Sequence, residues 1–248
     1  MRGHALSRLR DGLLSLIYPS DCQLCGGPVD SLDDGVACRA CWEDPRITLL
    51  FSPDRVCRLC GAPARSGDGP CGACTSLPFS AARSCGEYGG AIEASILFLK
   101  SEPHLCPRLR GIIEQTVLDH RERLGADLII PVPLHPHRRR ERGFNQADLI
   151  ARVISGKVRL PVEEGAVIRT KNTERHRAGL DRLDRERSLS AAFRVAAPRL
   201  VKGREVLLVD DLFTTGSTLS AAAGALTDAG AARVKVFTIG RVVPRRSK

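Results

Sequence analysis

The sequence predicts an α/β domain with a mostly parallel sheet and flanking helices, preceded by a small cysteine-rich module. Short apolar runs alternate with helical patterns; the runs lie at 127–133, 166–169, 205–210 and 233–239, and the helical patterns at 103–124, 144–155 and 217–229. This alternation is typical of a parallel sheet with helices on both faces. Eight of the ten cysteines precede residue 75, in four Cys-x-x-Cys pairs. The chain should therefore contain two units of different character.

The predicted organisation has three parts: a short amphipathic helix at 1–20, the cysteine-rich module at 21–80 and the α/β domain at 81–248. In the first part, helical spacing relates five apolar residues, namely Leu6, Leu9, Leu13, Leu16 and Ile17. Pro19 ends this helix. Asp11 interrupts the apolar stretch and no small-residue cleavage site follows, so we expect no signal peptide. No run is long enough to cross a bilayer, so we expect no transmembrane segment.

The composition is that of a globular protein, but the charge is unevenly distributed. Hydrophobic residues make up 43% and charged residues 27%, which argues against an intrinsically disordered chain. Residues 1–90 hold 9 Lys and Arg against 10 Asp and Glu, a net charge of −1, whereas residues 91–248 hold 29 against 18, a net charge of +11. The basic half should attract phosphates or nucleic acid.

The paired cysteines predict structural zinc. Four sulfurs with no water position describe a structural site, and each two-residue gap lets a tight turn direct two thiolates at one ion. The eight candidate ligands form two successive sets, Cys22, Cys25, Cys38 and Cys41, then Cys57, Cys60, Cys71 and Cys74. We favour two Zn²⁺ ions held by consecutive sets; pairing across the sets, or a single ion, is the alternative. A disulfide framework seldom repeats one gap four times, so we expect a reducing, cytoplasmic location.

Two further cysteines, Cys85 and Cys106, have no partner at ligand spacing. We expect both to be ordinary core cysteines, because free cysteine is among the most buried residue types.

The segment EVLLVDDLFTTGSTLSAAAGALTDA at 205–229 predicts a strand, a loop and a helix. A loop at the end of a buried strand and the start of a helix directs backbone N–H groups and the helix dipole at an anion. Hydroxyls of the loop add donors for phosphate oxygens, whereas Asp210 and Asp211 can accept hydrogen bonds from vicinal ribose hydroxyls and help to hold hydrated Mg²⁺. The sequence therefore predicts a ribose 5-phosphate site. It lacks the Lys-Ser/Thr ending of an ATP-binding P-loop and the Gly-x-Gly-x-x-Gly dinucleotide turn.

The stretch VLLVDDLFTTGST at 206–218 resembles the thirteen-residue signature of type I phosphoribosyltransferases. These enzymes share the substrate phosphoribosyl pyrophosphate (PRPP), which they bind with magnesium. The stretch LIIPVPLHPHRRRERGFNQA at 128–147, together with the paired cysteines, resembles the ComF family of competence proteins, which join a zinc ribbon to such a domain. The resemblance covers nearly the whole chain and implies a type I phosphoribosyltransferase fold behind a double zinc ribbon.

The resemblance also implies roles for individual residues. Asp210 and Asp211 would bind the ribose hydroxyls. The 5-phosphate would contact five consecutive residues, Thr214, Thr215, Gly216, Ser217 and Thr218. Arg138 and Arg142 would bind the diphosphate, because guanidinium groups bind phosphate bidentately. For Arg139 and Arg140 we favour a solvated face or a nucleic-acid contact.

The segment 169–193 contains two departures from the family pattern. His176 stands where glutamine is usual, and Ser188 stands where asparagine is usual. Both usual side chains are amides that orient a substrate, so the departures bear on catalysis more than on sugar-phosphate binding. Arg169, Arg185 and Phe193 agree with the pattern.

Three functions are compatible with these patterns. The first is a ComF-like protein that binds PRPP and handles single-stranded DNA in uptake or recombination, with Trp42, Phe51 and Phe79 as candidates for stacking on bases. The second is an active phosphoribosyltransferase that joins a nitrogenous base to C1 of PRPP. The third is an adaptor without catalytic activity that docks a helicase-like or recombination partner.

Overall fold

The computed structural model describes residues 20–64, 71, 74, 77–170 and 192–243. Its central feature is a four-stranded parallel sheet in the order β1-β6-β5-β2. The strands are Ala81–Glu87 (β1), Leu128–Pro131 (β2), Val167–Arg169 (β3), Phe193–Val195 (β4), Glu205–Phe213 (β5) and Arg233–Arg241 (β6). Strands β3 and β4 form a separate antiparallel pair. The predicted α/β fold class with a mostly parallel sheet is confirmed.

Helices cover both faces of this sheet. They span Arg39–Glu43 (α1), Gly90–Phe98 (α2), Pro107–Asp119 (α3), Arg121–Leu124 (α4), Pro136–Arg142 (α5), Gln146–Val158 (α6), Pro198–Val201 (α7) and Ser217–Asp228 (α8). Helices α2, α3, α4 and α6 share one hydrophobic core, and α7 and α8 share the other with β3 and β4. Strand β5 is buried on both faces, because Val206 and Leu208 pack in one core and Leu207 packs in the opposite one. This is why its sequence is a continuous apolar run.

Most of the predicted elements are present, with shifted ends. The apolar runs at 127–133, 205–210 and 233–239 are strands β2, β5 and β6, and the run at 166–169 is β3. The predicted helix at 103–124 is two helices, α3 and α4, with His120 between them. The predicted helix at 1–20 lies outside the described residues, apart from Ser20.

The cysteine-rich module packs on the edge of the sheet. The N–H of Phe51 donates to the carbonyl of Cys85, 2.9 Å away, and the N–H of Glu87 donates to the carbonyl of Leu49, 2.8 Å away. Residues 49–51 therefore extend the sheet beyond β1, which protects that edge from pairing with another chain. No helix within the described ranges is long and apolar enough to cross a membrane.

A buried arginine joins the second half of the module to the domain. Arg83 on β1 is 2% exposed. Its Nη1 donates to the carbonyl of Arg58, 3.2 Å away, and its Nε donates to Nδ1 of His120, 3.2 Å away. Burial lowers the pKa of His120 to about 4, and the charges of Arg83 and Arg123 lower it further, whereas Asp119 and Asp54 act in the opposite direction.

This contact predicts a loss of stability in mild acid. His120 binds a proton in the unfolded chain below its ordinary pKa of 6.5 and in the folded chain only below about 4, so stability falls as the pH falls through that window. The loss is at most roughly 3 kcal/mol. His120→Gln keeps an acceptor for Arg83 and cannot titrate, so its urea-unfolding free energy should depend less on pH between 6.5 and 4 than that of the wild type.

The matched control for this prediction is His104→Gln, since His104 is exposed. It should follow the wild type at every pH. Protonation of zinc-binding thiolates acts equally in all three proteins, so only the difference between variants is informative. Superimposable pH profiles for His120→Gln and wild type would contradict the assignment.

Candidate functional site

The candidate site begins with the loop that follows β5, residues 214–218, called the phosphate loop below. Gly216 caps the N-terminus of α8 with φ 78° and ψ 0°, a left-handed conformation that favours glycine. A Cβ atom there would lie 2.8 Å from Cζ of Phe213. Oγ1 of Thr215 lies 2.7 Å from Oγ of Ser217 and accepts from the Ser217 N–H at 3.3 Å. The loop therefore gathers hydroxyls at the positive end of a twelve-residue helix, which suits an anion.

An acidic pair, Asp210 and Asp211, lies near the end of β5, two residues before the phosphate loop. Oδ1 of Asp210 accepts a hydrogen bond from the N–H of Asp211 at 2.9 Å. Burial raises the pKa of Asp210 well above its ordinary value, and the neighbouring charge of Asp211 raises it further. Burial also raises the pKa of Asp211, whereas Lys100 and Arg142 lower it. Two partly desolvated carboxylates side by side favour a ligand that donates hydrogen bonds or brings a cation.

The arginine-rich turn after β2 reaches the same edge of the sheet. Its helix α5 starts after His135, whose Nδ1 accepts from the N–H of His137 at 3.3 Å, and ends at Gly143 with φ 77°. Arg138 and Arg142 are partly buried, whereas Arg139 and Arg140 are exposed. The roles expected for these arginines, diphosphate binding for Arg138 and Arg142 and a solvated or nucleic-acid-binding face for Arg139 and Arg140, stay predictions. Because β2 and β5 are adjacent parallel strands, the turn after β2 and the acidic pair near the end of β5 lie at the same edge of the sheet, and Arg142 lowers the pKa of Asp211.

The turn is fixed from behind by buried polar groups. Nδ2 of Asn145 donates to the carbonyl of Val132, 3.1 Å away, and to Oδ1 of Asp148, 2.8 Å away. Nη1 of Arg139 lies 3.4 Å from Oδ2 of the same aspartate. Arg139 thus has a positioning contact in addition to its exposed surface, which the sequence did not indicate.

Two further residues near the acidic pair, Lys100 and Tyr88, are not indicated by any sequence pattern. Helix α2 crosses β5 and β6 near their carboxyl ends. The close packing at Gly240 on β6 shows this, since an added Cβ would lie 2.8 Å from Ile96 of α2 and 3.3 Å from Leu212 of β5. Lys100 follows this helix and lowers the pKa of Asp211. Burial raises the pKa of Tyr88, and both Glu93 and Asp211 contribute in the same direction. Both residues therefore belong to the surroundings of the site.

The base of the segment 171–191 lies next to the site. The Thr170 N–H donates to the Ala192 carbonyl at 2.8 Å, and Cζ of Arg169 lies 5.5 Å from the centroid of the Phe193 ring. Arg169 also lowers the pKa of Asp210. The family departures His176 and Ser188, and the matching Arg185, lie outside the described residues.

The eight ribbon cysteines form two clusters, each from consecutive pairs as favoured. In each, the four sulfur atoms lie within 4.8 Å of one another. In the first cluster, Cys22, Cys25, Cys38 and Cys41, Sγ–Sγ distances are 3.7 Å for Cys22–Cys41 and for Cys25–Cys38. In the second cluster, Cys57, Cys60, Cys71 and Cys74, they are 3.7 Å for Cys57–Cys74 and 3.4 Å for Cys60–Cys71.

This geometry fits structural zinc. Sulfurs at about 2.3 Å from a tetrahedral Zn²⁺ lie about 3.8 Å apart, close to the observed separations. The thiol of Cys57 also accepts a hydrogen bond from the N–H of Cys71 at 3.1 Å. Burial alone would raise the pKa of Cys57, but such backbone donors lower it to about 6, whereas burial and neighbouring sulfurs raise the pKa of Cys60 and Cys74. Four sulfurs this close repel one another's charge as thiolates, which a bound dication would offset. Cys85 and Cys106 lie apart from both clusters and are buried, as expected.

Two of the three aromatic candidates for base stacking were wrong. Trp42 is 3% exposed and its Nε1 donates to the carbonyl of Asp34 at 2.9 Å. Phe79 is 4% exposed and packs edge-on against Phe213. Both rings complete hydrophobic cores. Phe51 is partly exposed.

Comparison with protein families supports both units. A double zinc ribbon domain matches residues 13–75, and a phosphoribosyl transferase domain matches residues 145–242. The second match agrees with the type I phosphoribosyltransferase fold that the signature at 206–218 implies. Glutamine PRPP amidotransferase from Bacillus subtilis, a solved structure, is 22% identical with a TM-score of 0.36, over 52% of this chain and 25% of that one.

The chain also has relatives along its length. DNA utilization protein YhgH of Escherichia coli strain K12 is 33% identical over 235 residues, which is 92% of this chain and 100% of that protein. Competence protein F of Haemophilus influenzae is 39% identical over 116 residues, 46% of this chain and 50% of that protein. Competence protein ComFC of Bacillus subtilis is 36% identical over 115 residues, 46% of this chain and 44% of that protein.

Proposed function

The chain belongs to the ComF family, and from that premise we propose that it binds PRPP and handles single-stranded DNA in DNA uptake or recombination. One observation supports the PRPP part above all others. An acidic pair, a hydroxyl-rich anion loop and an arginine-rich turn follow or end adjacent parallel strands at the carboxyl edge of one sheet, where ligands of such sheets bind.

Each part of PRPP has a chemical counterpart at this edge. The backbone and hydroxyls of the phosphate loop suit the 5-phosphate. Asp210 and Asp211 suit the ribose hydroxyls, which donate hydrogen bonds to carboxylates. Arg138 and Arg142 suit the diphosphate. Mg²⁺ would partly neutralise the diphosphate charge, and Asp210 and Asp211 are the carboxylates available to hold its hydration shell.

The proposal that the protein handles single-stranded DNA is supported by the positive charge of residues 91–248 and by the names of its relatives. The net charge of +11 on residues 91–248 attracts a phosphate backbone in general, and Arg140 is an exposed cation in the arginine-rich turn. Six relatives that align over 92% of this chain and all of their own length carry the name DNA utilization protein YhgH. Thiolate zinc sites also favour a reducing cytoplasm for this activity.

The test is fluorescence anisotropy of labelled single- and double-stranded oligonucleotides, titrated with zinc-loaded protein at two salt concentrations, with and without Mg²⁺ and PRPP. We expect a preference for single strands, affinity that falls with salt, and a change with PRPP. Absence of binding at low salt would contradict the DNA part. Calorimetry with Mg²⁺ and PRPP alone tests the PRPP part separately.

An active phosphoribosyltransferase is the second candidate, favoured by the complete signature at 206–218. It would form a bond from a base nitrogen to C1 of PRPP and break the bond to the leaving diphosphate, through an oxocarbenium-like transition state that preorganised charge stabilises. Release of pyrophosphate with a panel of purines and pyrimidines would support it. Retained PRPP binding without release across the panel would favour DNA handling or the adaptor role.

The arginine assignment yields its own prediction. Replacing Arg138 and Arg142 together by glutamine removes two charged donors to the diphosphate, so PRPP affinity should fall by at least about 100-fold, from roughly 1.5 to 3 kcal/mol per charged hydrogen bond. Ribose 5-phosphate lacks the diphosphate, so its affinity should change much less. Calorimetry with both ligands measures the difference. Arg110→Gln, an exposed arginine on α3, is the control, and an equal loss for both ligands would contradict the assignment.

A further inference from the structure

We infer that Arg241 is a positioning residue that links the second cysteine cluster to the phosphate loop, so that zinc in this cluster and PRPP on the loop strengthen each other's binding. The inference rests on the proposed function, because it concerns the affinity for PRPP. It is carried by an unbroken series of contacts from Cys60 through Arg241 and Phe213 to Gly216.

The first contact joins the end of β6 to the zinc ligands. Nη1 of Arg241 donates to the carbonyl of Cys60 at 2.7 Å, and the residue is 9% exposed. Its Nε has no hydrogen-bond partner among the residues that the structure describes. Four thiolates with one Zn²⁺ carry a formal charge of −2, which balances a buried cation. The Cys60 carbonyl is therefore a principal anchor of this guanidinium.

The second contact joins the guanidinium to the floor of the phosphate loop. Cζ of Arg241 lies 4.0 Å from the centroid of the Phe213 ring, a close cation–π contact. Phe213 is buried between this contact and the ring of Phe79, with ring centroids 6.2 Å apart and the planes at 87°. The Phe213 carbonyl also accepts the N–H of Val242 at 2.8 Å. The ring thus has little freedom to turn while Arg241 stays in place.

The third contact is between the ring and Gly216. The space beside Gly216 is so tight that an added Cβ would lie 2.8 Å from Cζ of Phe213. Gly216 caps α8 and sets the direction of the N–H groups that follow it. A shift of the ring therefore displaces the phosphate loop or leaves a void beneath it.

Zinc controls the start of this series because the Cys57–Cys60 turn is held by the metal. Structural zinc contributes much of the folding energy of a small ribbon. Without the ion, the turn is freer to move and the Cys60 carbonyl leaves Arg241. A buried guanidinium without its acceptor is unfavourable, so Arg241 moves and the Phe213 ring loses its support. Coupling of this kind is reciprocal, so PRPP must tighten zinc binding by the factor by which zinc tightens PRPP binding.

A neighbouring contact provides the matched control. The same turn also docks on β1, where Nη1 of Arg83 donates to the carbonyl of Arg58 at 3.2 Å and the Ala82 N–H donates to the Leu59 carbonyl at 2.7 Å. Arg83 is buried like Arg241, at 2% and 9% exposed, but within the described residues it makes no cation–π contact with Phe213. Arg83→Met should therefore weaken zinc binding and keep the coupling, whereas Arg241→Met should lose the coupling.

The experiment measures transfer of zinc from the full-length protein to a chromophoric chelator, with and without saturating Mg²⁺ and PRPP. In the wild type, PRPP should slow the loss of one of the two zinc ions, the one in the second cysteine cluster. Its apparent zinc affinity should rise by about tenfold, which is within the usual range of coupling between two sites. Calorimetry should give PRPP affinities that fall in the order wild type, Arg241→Lys, Arg241→Met. Lysine keeps the charge and a donating nitrogen but not the planar face, so partial rescue separates positioning from general destabilisation.

Each outcome decides the question. Equal zinc transfer with and without PRPP in a wild type that binds PRPP would overturn the inference and leave the proposed function intact. A wild type that binds no PRPP would overturn the proposed function first. If Arg241→Met does not fold, Phe213→Leu replaces it, because leucine keeps an apolar side chain but removes the ring face; wild-type coupling in that variant would also overturn the inference.

Discussion

Replacing Asp210 and Asp211 together by asparagine is expected to weaken PRPP binding by at least about 100-fold, from two charged hydrogen bonds at roughly 1.5 to 3 kcal/mol each. The carboxylates are the acceptors assigned to the ribose hydroxyls, and asparagine offers only a neutral carbonyl in their place. Calorimetry in the presence of Mg²⁺ measures the change. Unchanged affinity would remove both aspartates from the ligand assignment.

The same double variant should be more stable than the wild type without ligand. Burial raises the pKa of both carboxyls, and the charge of Asp211 adds to the effect on Asp210. Groups with a raised pKa in the folded state bind protons more tightly there, so their contribution to stability falls as the pH rises through the ordinary carboxyl pKa and is unfavourable at pH 7. Asparagine removes this unfavourable charge, and the melting temperature should rise by about 2 to 4 °C per kcal/mol recovered.

The control is Asp228→Asn, an exposed aspartate at the far end of α8. It should change neither PRPP affinity nor the melting temperature. Opposite changes in binding and stability at Asp210 and Asp211 are the signature of a site whose charges serve the ligand at the expense of the fold. A double variant that loses both would instead point to a structural role for the pair.

Sequence patterns were sufficient where the determinants are local. The strand, the acidic pair, the hydroxyls and Gly216 all lie within 205–218. The structural role of each can be predicted from the few residues next to it in the sequence. The cysteine clusters were equally predictable, because a two-residue gap places both thiolates of a pair where they can bind one zinc ion.

Elements whose burial depends on distant partners were missed. Strand β1, with the sequence AARSCGE, carries an arginine and has no apolar run. It is buried because carbonyl groups of the second ribbon and His120 receive the guanidinium of Arg83. Lys100 was missed for the same reason, since only the crossing of α2 over β5 and β6 brings it to Asp211. The stacking role predicted for Trp42 was wrong because one tryptophan in a sequence does not show whether its ring is buried in a core or exposed for stacking.

Removing zinc with a high-affinity chelator is expected to shift the emission of Trp42 to longer wavelength while most of the helical circular dichroism remains. The chain has one tryptophan, and it is 3% exposed in the first ribbon. Structural zinc supplies about 10 to 16 kcal/mol in zinc-finger peptides, far more than a ribbon this small gains from its own core. The ribbon should therefore unfold and expose the indole, and added Zn²⁺ should reverse the change.

The α/β domain should survive chelation with a lower melting temperature. Trp42, Cys41 and Cys38 share a hydrophobic core with α2 and α3. Oγ1 of Thr48 donates to the Cys41 carbonyl at 2.8 Å and accepts the N–H of Ala91 at 2.9 Å, which ties the first cluster to the start of α2. Losing the ribbon uncovers that part of the core, so thermal unfolding followed by circular dichroism should begin at a lower temperature.

Ligand and non-ligand cysteines separate the metal from the side chain. Metal analysis should give two zinc ions per chain for the wild type and for Cys85→Ala, and one for Cys41→Ser, which removes a ligand of the first cluster. Cys85 is buried like Cys41 but lies on β1 outside both clusters. Cys85→Ala therefore measures the effect of losing a buried thiol that binds no metal. Only Cys41→Ser should show the red-shifted emission of Trp42 before chelation. Wild-type protein without zinc, or an indole that stays buried after complete zinc removal, would contradict a metal-held ribbon.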